Sequence, residues 1–346
     1  MELKSLNKIS RHWGEDMTET TTQAEPIVGS VGALWPARYD ANNDRIKGFY
    51  DKIVYTGEEF LDVLKSIQPL KSFHPTRITL RMIVKDPNIV VGDEASIQLD
   101  GKWSGHELAY IGHNEPNRCQ EETEPDMKQI RREEDRIKDI ADLKPFIQKN
   151  KALERLLSNS MEFEWLMKPA ASADIDNLVR LYSSTFDDYT LPLDHNTISQ
   201  LVNNPNNLVG VVRNATKEII SIGIAERVYA KIEAKGEPLE FKFAELSDAA
   251  TFPKYAGRGL YGAIAAKLME QLAAENFDLA YGEARACIQG VNIVCKQSGR
   301  EYAGRLKKHC QLSGKREVGE KGKYENLNVW VVTHDRLQQL YGDKNE

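Results

Sequence analysis

Three extended runs followed by a glycine-rich turn and an apolar helix set the tightest limit on how this chain can fold. "NLVGVV", "IISIGIAERVYAKI" and "LEFKFAELSDA" are separated by the short polar connections "RNATKE" and "EAKGEP". Connections of that kind suit hairpins, so the spacing predicts an antiparallel meander. The stretch "FPKYAGRGLYGAI", Phe252 to Ile264, then opens a helix in which Leu260, Ile264, Leu268 and Leu272 share one face. "FDLAYGEARA" returns as a further strand. Ahead of the meander, Ile175, Leu178, Val179, Tyr182 and Phe186 form one face of another helix, with Ser172 or Asp174 as its expected cap.

The first part of the chain has its own pattern. "TGEEFLDVLKSI" places Thr56 and Glu59 at capping-box spacing before Phe60, Val63, Leu64 and Ile67. "RITLRMIV" and "ASIQLDGKW" read as strands, the second leading into a turn at Asp100-Gly101. From Cys119 to about Ser160 the chain is strongly charged, with Met127, Ile130, Ile137 and Ile140 at helical steps. The expected organisation is a flexible start (1–26), a small α/β domain (27–118), a charged helical linker (119–167), a C-terminal α/β domain (168–334) and a tail (335–346). Residues 1–26 carry little sustained period, hence the expectation of mobility there.

Composition excludes several classes of function. With 346 residues, 41% hydrophobic and 28% charged, the chain can bury two modest cores. It shows no signal-peptide pattern and no run near the ~20 apolar residues that a spanning helix needs, so no membrane and a cytoplasmic location are expected. A net charge of −6 argues against nucleic acid as a partner. Cys119, Cys287, Cys295 and Cys310 lack CxxC spacing and read as buried thiols. His106, His113 and Cys119 match no common metal site, and no metal is expected.

A helix N-terminus offers unpaired N–H groups and partial positive charge, so Gly257, Gly259 and Gly262 suit either an anion cradle or a simple turn. No Lys-Ser or Lys-Thr follows, against a Walker A loop, and the antiparallel strands before it argue against a dinucleotide-binding unit. The segment Ala256, Gly257, Arg258, Gly259, Leu260 and Tyr261 resembles the acetyl-CoA loop of the GNAT superfamily of acyltransferases, whose pattern is Q/R-x-x-G-x-G/A. "LYSSTFDDYTLPL", "AELSDAATFPKYAGRGL", "YGEARACIQGVNI" and "ENLNVWVV" occur in the order seen in β-lysine N6-acetyltransferases. The likeness covers about Lys168 to Val332; in the first domain it is distant, chiefly through "NNDRI" and the helix-then-strand order.

What the resemblance implies is a mixed, centrally splayed sheet flanked by helices in the C-terminal domain, with acetyl-CoA as co-substrate. Its pyrophosphate would rest on the loop, with Ala250, Thr251, Phe252, Gly257, Arg258, Gly259, Leu260, Tyr261, Gly262 and Asn292 as cofactor-binding candidates. Ala256 departs from the usual Gln or Arg, and Tyr261 stands where Gly or Ala is normal, which is expected to crowd the helix start. Asn292 has a helix cap as its alternative role. "CKQSGREY" lacks the aromatic residue that often serves as general acid, leaving Tyr302 as candidate acid or core aromatic.

An alkyl ammonium of pKa ~10.4 must lose a proton before attacking a thioester, which at neutral pH amounts to about 4.6 kcal/mol. Glu245 and Asp248 are the acidic candidates: Glu245 as base, directly or through water, Asp248 positioning the amine, with the roles exchangeable. Residues three apart on a regular strand face opposite ways; the resemblance implies a bulge that turns both carboxylates to one side. Tyr189 and Arg285 are substrate-binding candidates, Arg285 pairing with a substrate carboxylate, with Glu245 or in a structural ion pair. Cys287 and Cys295 have no local histidine to activate them, so direct transfer is expected. The expected function is acetyl transfer to a small amino acid or diamine such as β-lysine. Its alternatives are a peptide or protein lysine acetyltransferase and a non-catalytic acyl-CoA-binding regulator. The first domain is expected to shape the acceptor side or a subunit interface, such as that of a homodimer.

Overall fold

The computed structural model describes residues 38–40, 45–66, 77–86, 88, 93–114, 124–143, 156, 160–234, 237–314 and 324–342. The start read as flexible, Cys119, the side chain of His113 and part of the segment read as linker lie outside them. In the first half, β1 (Arg38–Asp40), β2 (Arg45–Val54), α1 (Gly57–Ser66), β3 (Arg77–Val84), β4 (Asp93–Gln98), β5 (Glu107–Asn114) and α2 (Glu124–Ala141) follow in order. The second half runs β6 (Glu162–Trp165), α3 (Ser172–Thr185), β7 (Phe186–Asp188), α4 (His195–Asn203), β8 (Asn207–Arg213), β9 (Ile219–Ala234) and β10 (Glu237–Thr251). It continues with α5 (Leu260–Ala274), β11 (Leu279–Arg285), α6 (Gln289–Gln297), β12 (Glu301–Gln311), β13 (Ser313–Gly314), β14 (Tyr324–Thr333) and α7 (His334–Tyr341). Among the described residues no helix is long and apolar enough to cross a membrane.

Local signals explain most of these elements. The capping box forms: the Glu59 amide donates to Thr56 Oγ1 at 3.2 Å and the Thr56 amide to Glu59 Oε2 at 3.1 Å. The expected cap of α3 does not form. Its N-cap is Ala171, without a side-chain cap, because Asp174 is held instead by both terminal nitrogens of Arg213 at 2.8 and 3.0 Å. A bidentate guanidinium pair is the stronger interaction for that carboxylate. Two elements cross the expected boundaries: β6 lies within 119–167 yet pairs with β8, and α7 occupies most of the expected tail with Leu337 and Tyr341 buried.

The meander predicted from the sequence is present, β8, β9 and β10 pairing antiparallel in turn. The chain then crosses over through α5 and returns parallel to β10 as β11. That parallel pairing is short, covering Phe243↔Leu279, Ala244↔Ala280 and Glu245↔Tyr281, after which β10 continues with β9 while β11 continues with β14. The sheet therefore splays open beyond Glu245, in the mixed arrangement the resemblance implies.

All the larger strands belong to one sheet, in the order β1-β2-β3-β5-β4-β12-β14-β11-β10-β9-β8-β6, and an extra β2–β9 pairing closes the run from β2 to β9 into a ring. Two narrow seams join the halves: Gly304↔Ala95 between β12 and β4, and Lys52↔Glu233 between β2 and β9, the latter with a 2.8 Å ion pair. Inside the ring Phe49, Trp103, Phe241, Phe243 and Tyr281 share one core, with Phe49 stacked 5.1 Å from Phe243 and Trp103 edge-on to Phe241 at 5.1 Å. Burying such rings supplies much of the cohesion between the halves, at roughly 1.5–3 kcal/mol for a fully buried large apolar side chain. On the outer face α5 and α7 cover β10 and β11 through Ile264, Leu268, Leu272 and Leu337, while α3 and α4 pack on the opposite face of β8 and β9, against Ile222 and Ile224.

Candidate active site

The splay places a set of polar side chains at the end of the β10–β11 pairing. Between Ser247 and Ala250 the register of β10 against β9 slips, the expected bulge, and Asp248 takes φ of +47°. Aspartate is among the few residues that tolerate this left-handed backbone. The slip brings Asp248 near Glu245, whose charge it feels.

Each carboxylate has its own partners. Tyr189 Oη donates to Asp248 Oδ1 at 2.5 Å, and Ser247 Oγ donates to Asp248 Oδ2 at 3.1 Å. Tyr182 Oη secures the backbone by donating to the Asp248 carbonyl at 2.6 Å. Tyr281 Oη donates to Glu245 Oε2 at 2.7 Å, and Lys47 Nζ lies 3.8 Å from Glu245 Oε1. Directly across in register from Glu245 stands Glu226 on β9, which shares the one Ser247 Oγ proton with Asp248 and lies closer to it, at 2.6 Å. Tyr189, read from the sequence as a substrate-binding candidate, thus stands against the candidate carboxylate Asp248. Lys47, Tyr281, Glu226 and Glu283 carry no sequence signal that singles them out, each being one polar residue in an ordinary alternating strand.

Burial raises the Asp248 carboxyl above its ordinary 3.8, assisted by the neighbouring Glu245 charge and opposed by the Tyr189 and Ser247 hydrogen bonds. The native state then binds this proton more tightly than the unfolded chain, so ionising Asp248 costs stability as pH rises above about 3.8. Asp248→Asn should remove that cost, so its unfolding free energy relative to wild type should improve from about pH 4 to about pH 7. Urea titrations at several pH values measure this, and a difference that stays flat or runs the other way contradicts it.

The loop at the start of α5 is open. Gly257 and Gly259 both have φ of +77°, and a Cβ added at Gly257, Gly259 or Gly262 would meet nothing within 4 Å. Gly259 is the N-cap residue and contributes no side-chain cap, so the first amides of this 15-residue helix have no intrahelical acceptor. These residues fit a pyrophosphate: donors point outward, no side chain fills the approach, and the helix end is electropositive. Arg258 is exposed, its guanidinium 5.3 Å from the Tyr255 ring centroid. Tyr261 does not crowd the loop. Its ring turns inward to pack where β9 has Gly223, at 3.0 Å from a Cβ built there, and its hydroxyl bonds to buried Arg300. Ala250 is buried with its carbonyl accepting from Ser221 Oγ at 3.2 Å, and Thr251 Oγ1 is shared with Ser221 Oγ at 2.8 Å while its carbonyl accepts from Thr185 Oγ1 at 3.4 Å.

Three expected site residues are not brought to this place. Asn292 is buried, and its amide donates to the carbonyls of Arg285 and Ile288 at 2.9 and 2.7 Å while accepting from Asn328 and Trp330 at 2.9 and 2.8 Å. Two donors and two acceptors exhaust an asparagine side chain, so it ties α6 to β11 and β14 and has nothing left for a cofactor. Arg285 pairs with Glu325, Nε and Nη2 at 2.7 and 2.6 Å, and not with Glu245. Tyr302 sits on β12 opposite Trp330, which is opposite Gly282 on β11, and packs edge-on against Trp330 at 5.7 Å. That row is three strands from β10, about 14 Å at ordinary strand spacing, and on the outer sheet face, whereas Glu245 faces into the ring. Burial also pushes the Tyr302 phenol up, against an acid role.

Cys295 and Cys310 are buried, and burial raises the Cys295 thiol above 9.0. Cys287, read as a buried thiol, is only partly buried, and its Sγ donates to a Glu325 oxygen at 3.5 Å. Among the described residues no cluster of His, Cys, Asp and Glu could hold a metal ion.

No family model matches the chain. Two curated proteins do, each at 26% identity: β-lysine N(6)-acetyltransferase of Methanosarcina mazei over 166 residues, and N-acetyltransferase YodP of Bacillus subtilis over 174. The chain resembles N-acetyltransferases. The matches cover 48% and 50% of this chain and 54% and 56% of the relatives, so the chain spans about half the length of the curated relatives it matches. Among solved structures, Arabidopsis thaliana NAA60 in complex with acetyl-CoA aligns at 12% identity over 51% of this chain and 99% of its own, with a TM-score of 0.41. A spermidine N-acetyltransferase SpeG mutant from Vibrio cholerae aligns at 13% identity over 51% and 96%, with a TM-score of 0.38.

Proposed function

We propose that this chain is an acetyl-CoA-dependent N-acetyltransferase acting on the amine of a small amino acid or diamine such as β-lysine. One observation carries the reading: β10 presents Glu245 and Asp248 at the splay and, within the same continuous stretch, leads into the open glycine loop of α5. On this reading one continuous stretch of chain carries both a site for the donor's phosphates and a base for the acceptor.

In this reading the amides of Leu260, Tyr261 and Gly262 hold the pyrophosphate, and the backbone of Ala250, Thr251 and Phe252 runs beside the donor arm. Glu245 takes the proton from the acceptor ammonium, directly or through water. Its Oε1 oxygen, with only the 3.8 Å Lys47 contact among the described residues, has room to receive it. Asp248, oriented by Tyr189, holds the amine. The free amine then forms the new C–N bond at the thioester carbonyl and the C–S bond breaks; the proton shed by the new amide nitrogen passes to the departing thiolate, so the products are the acetamide and coenzyme A thiol. A thiol of pKa about 8.5 needs no strong acid to depart, so the displacement of Tyr302 from the site removes no required step.

Mass spectrometry of a mixture of β-lysine, lysine, cadaverine, spermidine and a lysine-containing peptide, incubated with the protein and acetyl-CoA, tests this directly. Acetylation of a free amino acid or diamine, with matching thiol release, is the expected result. Modification of the peptide alone would transfer the reading to protein lysines. Bound acetyl-CoA without thiol release would make the chain a regulator.

A further inference from the structure

The carboxylate proposed as base is gripped from the inside of the ring by strands of the first half. Lys47, on β2, points into the ring with its ammonium 3.0 Å from Glu283 Oε2 on β11 and 3.8 Å from Glu245 Oε1 on β10. The residues it joins lie far apart in sequence, 236 positions in the case of Glu283. A second arm comes from β3: an Arg81 Nη1 donates to Tyr281 Oη, which itself donates to Glu245 Oε2 at 2.7 Å. Burial keeps the Tyr281 phenol neutral, so the hydroxyl retains the proton it donates. Arg81 lies against the Phe243 and Tyr281 rings, its guanidinium carbon 5.5 and 5.6 Å from their centroids, which fixes the direction of its fork.

A carboxylate on a strand has two free torsions before its head group, and among the described residues nothing on β10 itself holds that of Glu245. With one oxygen fixed by a phenol and the other facing an ammonium, the head group is constrained from two sides. The cation also offsets repulsion among Glu226, Glu245, Asp248 and Glu283, which crowd the same end of the ring. We propose that Lys47 and the Arg81–Tyr281 pair are positioning residues for Glu245, so that the acceptor site is complete only when the N-terminal strands close the ring. This rests on the reading of Glu245 as base.

The test uses full-length Lys47→Met, Lys47→Arg, Tyr281→Phe and Glu245→Gln, and the double variant K47M/E245Q, assayed with acetyl-CoA and the amine that the mixture experiment identifies. Lys47→Met should lower kcat by about tenfold or more with the KM for acetyl-CoA little changed, and Tyr281→Phe should lower kcat several-fold. Lys47→Arg, which keeps the charge, should recover most of the loss. The double variant should be no slower than Glu245→Gln alone, because a residue acting through another has no further effect once that one is gone. Wild-type kcat in Lys47→Met, no recovery in Lys47→Arg, or losses that multiply in the double variant would each overturn the inference. Wild-type turnover in Glu245→Gln would instead remove the base assignment, a different failure and separately visible. Melting temperatures identify any variant that has lost its fold; for such a variant at Lys47, Lys47→Gln takes its place under the same criteria.

Discussion

Gly259→Asp is expected to abolish acetyl-CoA binding while leaving the fold intact. The two halves of that expectation have separate causes. Gly259 caps α5 with φ of +77°, a conformation aspartate accepts better than most residues, and a Cβ there meets nothing within 4 Å. Aspartate is also a favoured N-cap, so its carboxylate would accept from the very amides proposed to hold the pyrophosphate. The ligand then meets occupied donors and a negative charge. At about 4 Å and an effective dielectric of 20, one such charge pair costs about 4 kcal/mol, or roughly a thousandfold in affinity. Gly259→Asn separates the contributions, since it occupies the amides without the charge and should weaken binding less. Titration calorimetry with acetyl-CoA reads both variants, and a wild-type affinity in Gly259→Asp would remove the phosphate role from the loop.

The strand that leads into this loop also shows which features are legible in the sequence. Local signals hold in the fold, since the Thr56 and Glu59 box and the meander both form, while the bulge and splay that gather the carboxylates are what the family resemblance implied. Signals that tertiary partners can override do not. Asp174 has a good capping residue's chemistry, but Arg213 captures it from β8. Asn292 lies in the right segment for a cofactor contact, yet Trp330 and Asn328 use up its amide. Tyr302 follows a strand whose row and face are set only when β12, β14 and β11 are laid side by side.

The interior of the ring is illegible for a further reason. Lys47, Arg81 and Glu283, which meet around Glu245, come from three further strands, and each sits in a segment that reads as ordinary alternation of polar and apolar residues. Their meeting depends on the pairing of β2 with β9 and of β4 with β12, seams of one register pair each that no local pattern announces. On the proposal that Lys47 and Arg81 position Glu245, closure also gives the first half a part in the acceptor site. A segment lacking any phosphate loop or nucleophile of its own supplies charges that face the candidate base, so its contribution is carried by side-chain direction and not by motif.

Glu245→Gln is expected to lower turnover by about 10²–10⁴-fold at neutral pH, the usual span for loss of a general base, with acetyl-CoA affinity nearly unchanged. Affinity should hold because the loop amides lie beyond the bulge and Glu245 touches none of them. Glutamine keeps the size of the side chain and can still accept from Tyr281, so the geometry around Tyr281 is retained while the proton acceptor is lost. The defect should shrink as pH rises. Near neutrality only about one part in 10³ of an amine with pKa ~10.4 is unprotonated, and each further pH unit supplies about tenfold more without enzyme assistance. Wild type, which has its own base, gains less from that supply, so the ratio of wild-type to variant kcat should fall steadily between about pH 7 and pH 9.5. A ratio independent of pH would mean that Glu245 orients the amine and that Asp248, or a water it holds, receives the proton.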